Sequence, residues 1–335
     1  MKRIAIADIH LSDYSEDILD NSDLPLRLGE IKKTFNFVIK KAKELSIKHI
    51  DILGDIINDK SVIYTIAQDL FKEIIIENPK LFFTLLSGNH DLSHTGKLQK
   101  SAISVFSGYE NVCCITDKVF SDKNMTVISY SSNFLEKIKQ CSDGNILLTH
   151  VGLNEAMIQS GLSKIDKIKL SDLKKFKLVI SGHYHKPQEI QNDYTRFYYC
   201  GGFTNHSWND KNETKRFLIY DTETLEVESI PMEGQTEYKE YIIDDINNAK
   251  EILKEAEIEK NKGNYVRIRK LIKEEIETPH DIMVIEHKDI DVTNRGITVI
   301  QTLQEKLYKY LDIKEIKKEE QENYMKTLQK YNIVE

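Results

Sequence analysis

The sequence predicts an α/β sandwich followed by a small α+β unit and C-terminal helices. Three observations predict it. Apolar runs alternate with helical patterns early in the chain, and short strand-like runs dominate later. Nearly every early apolar run ends in an Asp, Asn or His signature, as expected where chemistry gathers at the carboxyl ends of strands. Beyond Pro231-Met232-Glu233-Gly234 the composition turns rich in Lys and Glu, so a second unit begins there.

In chain order, residues 3–7 read as a buried strand. A helix fits residues 26–45, with Leu28, Ile31, Phe35, Val38, Ile39, Ala42 and Leu45 on one face. Ser22 or Asp23 is placed to cap it, with Pro25 near its first turn. Residues 50–53 form a strand running into Gly54-Asp55, and residues 62–77 a second helix. Residues 81–86 form a strand feeding Gly88-Asn89-His90-Asp91. Further strands are expected at 126–130, 146–149 and 177–180, then at 197–200 and 217–220 with Gly201-Gly202 turning between them. The second unit reads as a helix at 245–259 and strands at 265–271 and 281–285. A stripe of Ile300, Leu303, Leu307 and Tyr310 marks a helix over 297–311, and Tyr324, Leu328 and Tyr331 mark a short one after it. The boundaries expected are 1–231, 235–292 and 297–335.

Composition narrows the function. The chain has 335 residues and a formal charge of −7. Any nucleic-acid binding must therefore use local Lys/Arg patches, metal ions or a basic partner. The four cysteines show no zinc-type pair spacing and read as reduced thiols of a cytoplasm. Asp8 and His10 interrupt the first apolar run too early for a signal peptide, and no run is long enough to span a bilayer. A cytoplasmic protein without a membrane partner is expected.

Five signatures carry the chemistry: Asp8-Ile9-His10, Gly54-Asp55, Gly88-Asn89-His90-Asp91, Thr149-His150 and Gly182-His183-Tyr184-His185. Asp-x-His or Gly-Asp alone recurs by chance. All five in order supply oxygen and imidazole donors for two divalent metals, which together stabilise the attacking and leaving oxygens of a phosphoryl displacement. Asp55 suits the bridging position. Asp8 and His10 lie two apart beyond a strand, Asn89 offers a neutral carbonyl oxygen, and His150, His183 and His185 complete the shells. Mixed oxygen and imidazole donors suit manganese, iron or zinc. His90 is kept off the metals as a proton donor to the leaving oxygen, with Asp91 accepting from its ring to set the tautomer. Gly88 is expected to let this loop turn sharply.

Other residues have plainer readings. His94 and His206 are expected to line loops, and His49, His280 and His287 to be surface or packing residues. Lys97 and Lys100 are placed to reach a phosphate backbone. Lys164, Lys167, Lys169, Lys174, Lys175 and Lys177 read first as a solvated face. Tyr184 either touches a nucleotide or packs.

These motifs resemble the calcineurin-like metallophosphoesterase superfamily over about residues 1–221. A narrower resemblance rests on Gly182-His183-Tyr184-His185-Lys186-Pro187-Gln188, Tyr199-Cys200-Gly201-Gly202-Phe203-Thr204, Trp208-Asn209-Asp210 and Lys215-Arg216-Phe217. That run is similar to the SbcD-type DNA repair nucleases, including the nuclease subunits of T-even-like phages. The resemblance implies a sandwich of two mixed β-sheets flanked by helices, with a small capping domain and partner-binding C-terminal helices. It implies one metal on Asp8, His10, Asp55 and His185, a second on Asp55, Asn89, His150 and His183, and a catalytic role for His90. It also implies manganese, double-strand exonuclease and single-strand endonuclease activity on DNA, a nuclease homodimer, and an SbcC-type coiled-coil ATPase partner. The second motif departs from the family, with Asn58-Asp59 where an outer carboxylate is usual. A phosphatase or small-molecule phosphodiesterase is the alternative substrate class, and a non-catalytic scaffold the third reading. The absence of an arginine after Gly54-Asp55 favours a diester over a dianionic monoester.

Overall fold

The structure is a computed structural model. It describes residues 1–14, 19, 24–60, 62–93, 100–158, 161–162, 166–272, 274–276, 282–286 and 321. The expected cap at Ser22 or Asp23, His94, Lys97, Lys164, His280, His287 and, apart from Gln321, the helices over 297–335 lie outside the described residues.

The elements in chain order are β1 (Lys2–Ile6), α1 (Leu26–Glu44), β2 (His49–Leu53), α2 (Thr65–Ile76), β3 (Phe82–Leu86), β4 (Val112–Ile115), β5 (Phe120–Ser121) and β6 (Met125–Ile128). Then follow α3 (Phe134–Gln140), β7 (Gly144–His150), β8 (Met157–Ile158), β9 (Gly161–Leu162), β10 (Phe176–Gly182), β11 (Gln188–Gln191) and β12 (Arg196–Tyr199). The chain continues with β13 (Arg216–Asp221), β14 (Val227–Pro231), β15 (Tyr238–Ile243), α4 (Ile246–Asn261), β16 (Tyr265–Lys270) and β17 (Met283–Glu286).

Two six-stranded sheets form the sandwich, ordered β14-β13-β1-β2-β3-β4 and β11-β12-β10-β7-β6-β5. Both are mixed. β1 to β4 run parallel while β13 and β14 are antiparallel, and β6, β7, β10 and β12 run parallel between antiparallel edges. Alternation along each strand decides which layer a side chain joins. Ile4 and Ile6 face the helices, packing with Phe35, Val38, Phe71 and Ile74. Ala5 and Ala7 face the other sheet, packing with Leu53, Ile146, Leu148 and Ile180. Leu147 and Val179 turn outward to Phe134, Ile138 and Phe197.

The α1 stripe is buried as expected from Leu28 to Ala42, but Leu45 is 52% exposed because the helix has already ended beneath it. Pro25 opens the helix with no side-chain cap bond. Between the sheets Arg3 donates to both oxygens of Asp51, and the Tyr220 hydroxyl donates to Asp51 Oδ2 at 2.7 Å. This buried charge pair joins the amino-terminal end of β1 to the middle of β2. Gly201-Gly202 does not join two strands of one sheet. β12 belongs to the second sheet and β13 to the first, and Arg216 spans them by donating to Tyr199 O at 3.0 Å.

The chain divides into two compact units, residues 1–240 with 259–265, and residues 241–258 with 266–335. The second has its own small core of Ile243, Ala249, Ala256, Val266, Ile268 and Ile282. A three-stranded sheet, β15-β16-β17, accompanies α4 there.

Candidate metal centre

The carboxyl ends of β1, β2, β3, β7 and β10 meet on one rim. Backbone bonds lock the first two exits together: Asp8 N donates to Gly54 O at 3.0 Å, and Ile9 N and His10 N both donate to Asp55 O at 2.9 Å. The Asp8 carboxylate accepts the His183 N–H at 3.0 and 3.1 Å, which draws the second sheet's exit onto the first. His150 Nδ1 donates to Leu53 O at 2.7 Å and turns Nε2 toward Asp55 Oδ2, 3.3 Å away. Four of these residues hold left-handed backbone, Asp8 (φ 54°), His10 (φ 54°), Asp55 (φ 51°) and His183 (φ 97°). Such conformations cost on the order of 1–3 kcal/mol each and persist only where neighbours enforce them.

The donors fall into two groups around Asp55. In one, His10 Nε2 faces His185 Nε2 at 3.1 Å and Asp55 Oδ2 at 3.8 Å, and Asp8, His10 and His185 present ligand atoms within 4.8 Å of one another. In the other, Asn89 Oδ1 lies 3.0 Å from His183 Nδ1 and 3.2 Å from His150 Nε2. All seven expected donors are thus brought together. His90 is near as well, with His10 and Asp55 in the same 4.8 Å range.

The electrostatics follow from burial. Burial pushes the Asp8 carboxyl above its usual range, and neighbouring Asp55 adds to the rise. Burial also favours neutral Asp55, but His150, then His10 and the His90 N–H, outweigh it and hold Asp55 low. Burial would lower His150, yet Asp55 and Asp8 beside it bring the imidazole up to about 9. His10 falls to about 3 and His183 to about 4, burial being the main cause in both. Asp8 and Asp55 are at most 2% exposed, and His10 Nδ1 is buried without a hydrogen-bond partner. Two buried carboxylates amid lone pairs aimed at shared points fit divalent cations, which supply the positive charge that such burial demands.

One sequence expectation is corrected here. Asp91 does not accept from the His90 ring. Its oxygens accept Ile57 N at 2.9 Å and Gly88 N at 2.8 Å, so it clamps the loop. The His90 ring instead donates Nδ1–H to Asn58 O at 2.6 Å, and this backbone carbonyl sets the tautomer. The loop bends over residues 89–91, and Gly88 itself has no left-handed backbone. It is glycine because a Cβ there would lie 2.1 Å from Asp55 Oδ1 and 2.4 Å from Asp55 N. Gly54, in contrast, has φ +90° and also leaves no room, a Cβ falling 2.3 Å from His150 Nδ1.

A family model for calcineurin-like phosphoesterases matches residues 1–187. The chain belongs to the calcineurin-like phosphoesterase family. It is therefore a phosphoester hydrolase by family; these phosphoesterases use a dimetal centre, and groups of candidate metal ligands stand together on this rim. The chain is 24% identical over 264 residues to exonuclease subunit 1 of Enterobacteria phage T4, covering 72% of this chain and 74% of that protein. Solved structures similar to this phosphoesterase include a dimetal phosphatase from Danio rerio (13% identity, 69% of this chain and 98% of that one, TM-score 0.44) and an archaeal phosphodiesterase (15%, 69% and 99%, TM-score 0.33). Among the described residues, no helix of this phosphoesterase is long and apolar enough to cross a membrane.

Sequence reasoning missed the company these ligands keep. His206 does stand in a loop, but its ring centroid lies 5.1 Å from His10 and 5.0 Å from His185. Tyr130 stacks at 6.3 Å on His183. Asp210, noted only as part of a motif, approaches His185 Nδ1 to 4.0 Å. For His206 and Asp210 the one available signal was their position after the Gly201-Gly202 crossing, in the segment that must pass the rim to change sheets. Tyr184 packs, its ring 5.3 Å from Tyr199 and its hydroxyl donating to Asp166. Lys175 caps α3 by donating to Cys141 O at 2.6 Å, while Lys167, Lys169, Lys174 and Lys177 are exposed.

Proposed function

We propose that this phosphoesterase is a metal-dependent DNA nuclease, a double-strand exonuclease and single-strand endonuclease acting in DNA repair or recombination. The observation that carries the reading is the convergence of seven donors into two groups that share Asp55. Asp8, His10, Asp55 and His185 would hold one divalent ion, and Asp55, Asn89, His150 and His183 the other, manganese being the ion we assign. Bound there, the ions activate water at neutral pH and neutralise phosphoryl charge. His90, held through Nδ1–H by Asn58 O, would give the departing 3′ oxygen a proton from Nε2 when the ring carries both of its protons.

A diester substrate is supported by the chain's own cations. No arginine follows Gly54-Asp55, and Arg3 sits at the far end of β1, committed to Asp51. The similarity to a phage exonuclease subunit favours a nucleic acid among diesters. We assign residues 1–231 to the nuclease domain, 235–292 to a capping domain and 297–335 to helices that bind an SbcC-type coiled-coil ATPase. The working form is a nuclease homodimer in the cytoplasm. Manganese-dependent digestion of end-labelled linear duplex DNA, with Asp55→Ala beside it, tests the reading. Wild type should release label and Asp55→Ala should not. Hydrolysis of a phosphomonoester with none of DNA would establish the phosphatase alternative instead.

A further inference from the structure

The segment after Gly201 touches the metal-binding edge at backbone atoms as well as at rings. Asp8 O accepts Phe203 N at 3.1 Å and His206 Nε2 at 3.1 Å. His185 O accepts Gly202 N at 2.9 Å and Lys215 Nζ at 3.2 Å. Both clamped carbonyls belong to candidate ligands of the same ion. Asp8 holds a left-handed backbone that relaxes unless something pins it.

One carboxylate ties these clamps together. Asp210, 4% exposed, accepts Lys215 Nζ on Oδ1 at 2.8 Å, and the backbone N–H groups of His206 and Ser207 on Oδ2 at 3.0 and 3.1 Å. Lys215, its side chain fully buried, divides its ammonium protons among Asp210, His185 O and Glu213 at 3.0 Å. All three protons of that ammonium have an acceptor, so its position is fixed. Asp210 Oδ1 also faces His185 Nδ1, on the side of the ring opposite the Nε2 that meets His10. A carboxylate behind a ligating imidazole favours the tautomer with its lone pair toward the ion.

We propose that Asp210, acting with Lys215 and His206, is a positioning brace that holds Asp8 and His185 in ligand geometry for one ion only. The inference rests on the two-ion reading of the site. The Asn89, His150 and His183 side chains take their support elsewhere, from Leu53 O and from each other, and it is the His183 backbone N–H that meets the braced Asp8, so the brace distinguishes the donor side chains of the two ion positions.

The test uses the full-length protein and Mn²⁺ alone, titrated calorimetrically and followed by electron paramagnetic resonance. Wild type should take up two ions with a spin-coupled signal. Asp210→Asn keeps an oxygen for Lys215 but loses acceptor capacity. It should weaken one ion by ~10–100-fold, leave the other unchanged, and abolish the coupled signal at limiting metal. His206→Leu should act in the same direction, and His206→Gln, which restores a donor toward Asp8 O, should recover affinity. The His206 pair decides the matter if Asp210→Asn does not fold. Folded Asp210→Asn and His206→Leu proteins that bind both ions as tightly as wild type overturn the brace. So does a uniform weakening of both ions that tracks a fall in Tm. A wild type that binds no Mn²⁺ overturns the two-ion reading itself, and the brace with it.

Discussion

Gly88→Ala adds a single methyl group where Asp55 leaves no space for one. The new Cβ would stand 2.1 Å from Asp55 Oδ1, against a floor of 3.0 Å for real contacts, so one partner must move by at least 0.9 Å. Neither can move cheaply. Asp55 Oδ1 is held by His90 N at 2.8 Å, and Gly88 N by Asp91 Oδ2 at 2.8 Å. Overpacking of this kind costs ~1–3 kcal/mol of stability. A displacement near 1 Å at a reacting centre costs roughly 10²-fold in rate. The expected outcome is a folded protein whose Mn²⁺-dependent phosphodiester cleavage falls by about two orders of magnitude, with weakened uptake of both ions because Asp55 serves both groups. Circular dichroism, Mn²⁺ titration and single-turnover cleavage would check it. A folded Gly88→Ala protein with wild-type ion affinity and a rate within about threefold of wild type would refute the reasoning.

His90→Ala should abolish cleavage while two Mn²⁺ ions still bind, and ion loss in that variant would show His90 to be a ligand. Asn58→Ala should cleave nearly as wild type, because the atom holding His90 is a backbone oxygen; a large loss would point to the Asn58 side chain instead. Without metal, stability should fall as pH rises from about 6.5 to 9. In that window Asp8 and His150 carry protons in the fold that the unfolded chain has released, each contributing up to about 1.4 kcal/mol per pH unit. Below about 6.5 the slope reverses, since His10, His183, His185 and His206 stay neutral in the fold while their unfolded counterparts protonate, which outweighs the protons that Asp8 and Asp91 keep in the fold. Thermal melts across pH, with and without Mn²⁺, read this directly; Mn²⁺ should flatten the alkaline limb and release protons on binding at pH 7. Arg3→Ala leaves Asp51 buried without its cation and should cost ~3–5 kcal/mol with ion affinity unchanged, as measured by urea unfolding and Mn²⁺ titration.

The strands that carry the signatures were legible because they are short, apolar and buried on both faces. The strands that escaped notice lie at sheet edges or in the second unit. β4, β11 and β14 are only partly buried, and their mixed side chains give no period to follow. The seven donors were readable for a related reason. Each stands one to five residues beyond an apolar run, and the strand end fixes its place on the rim.

The sequence by itself determined the donor types, their order, the α/β alternation and the family. Those properties belong to local chemistry and to the two-residue repeat of a strand, which need no knowledge of distant neighbours. Only the tertiary structure decided that Asn58 O rather than Asp91 orients His90, that Gly88 makes way for Asp55, and that His206, Asp210 and Lys215 stand behind Asp8 and His185. Those contacts join segments from 21 to 198 residues apart. A hydrogen bond across such a separation depends on how two sheets dock, and nothing in the spacing along the chain specifies it.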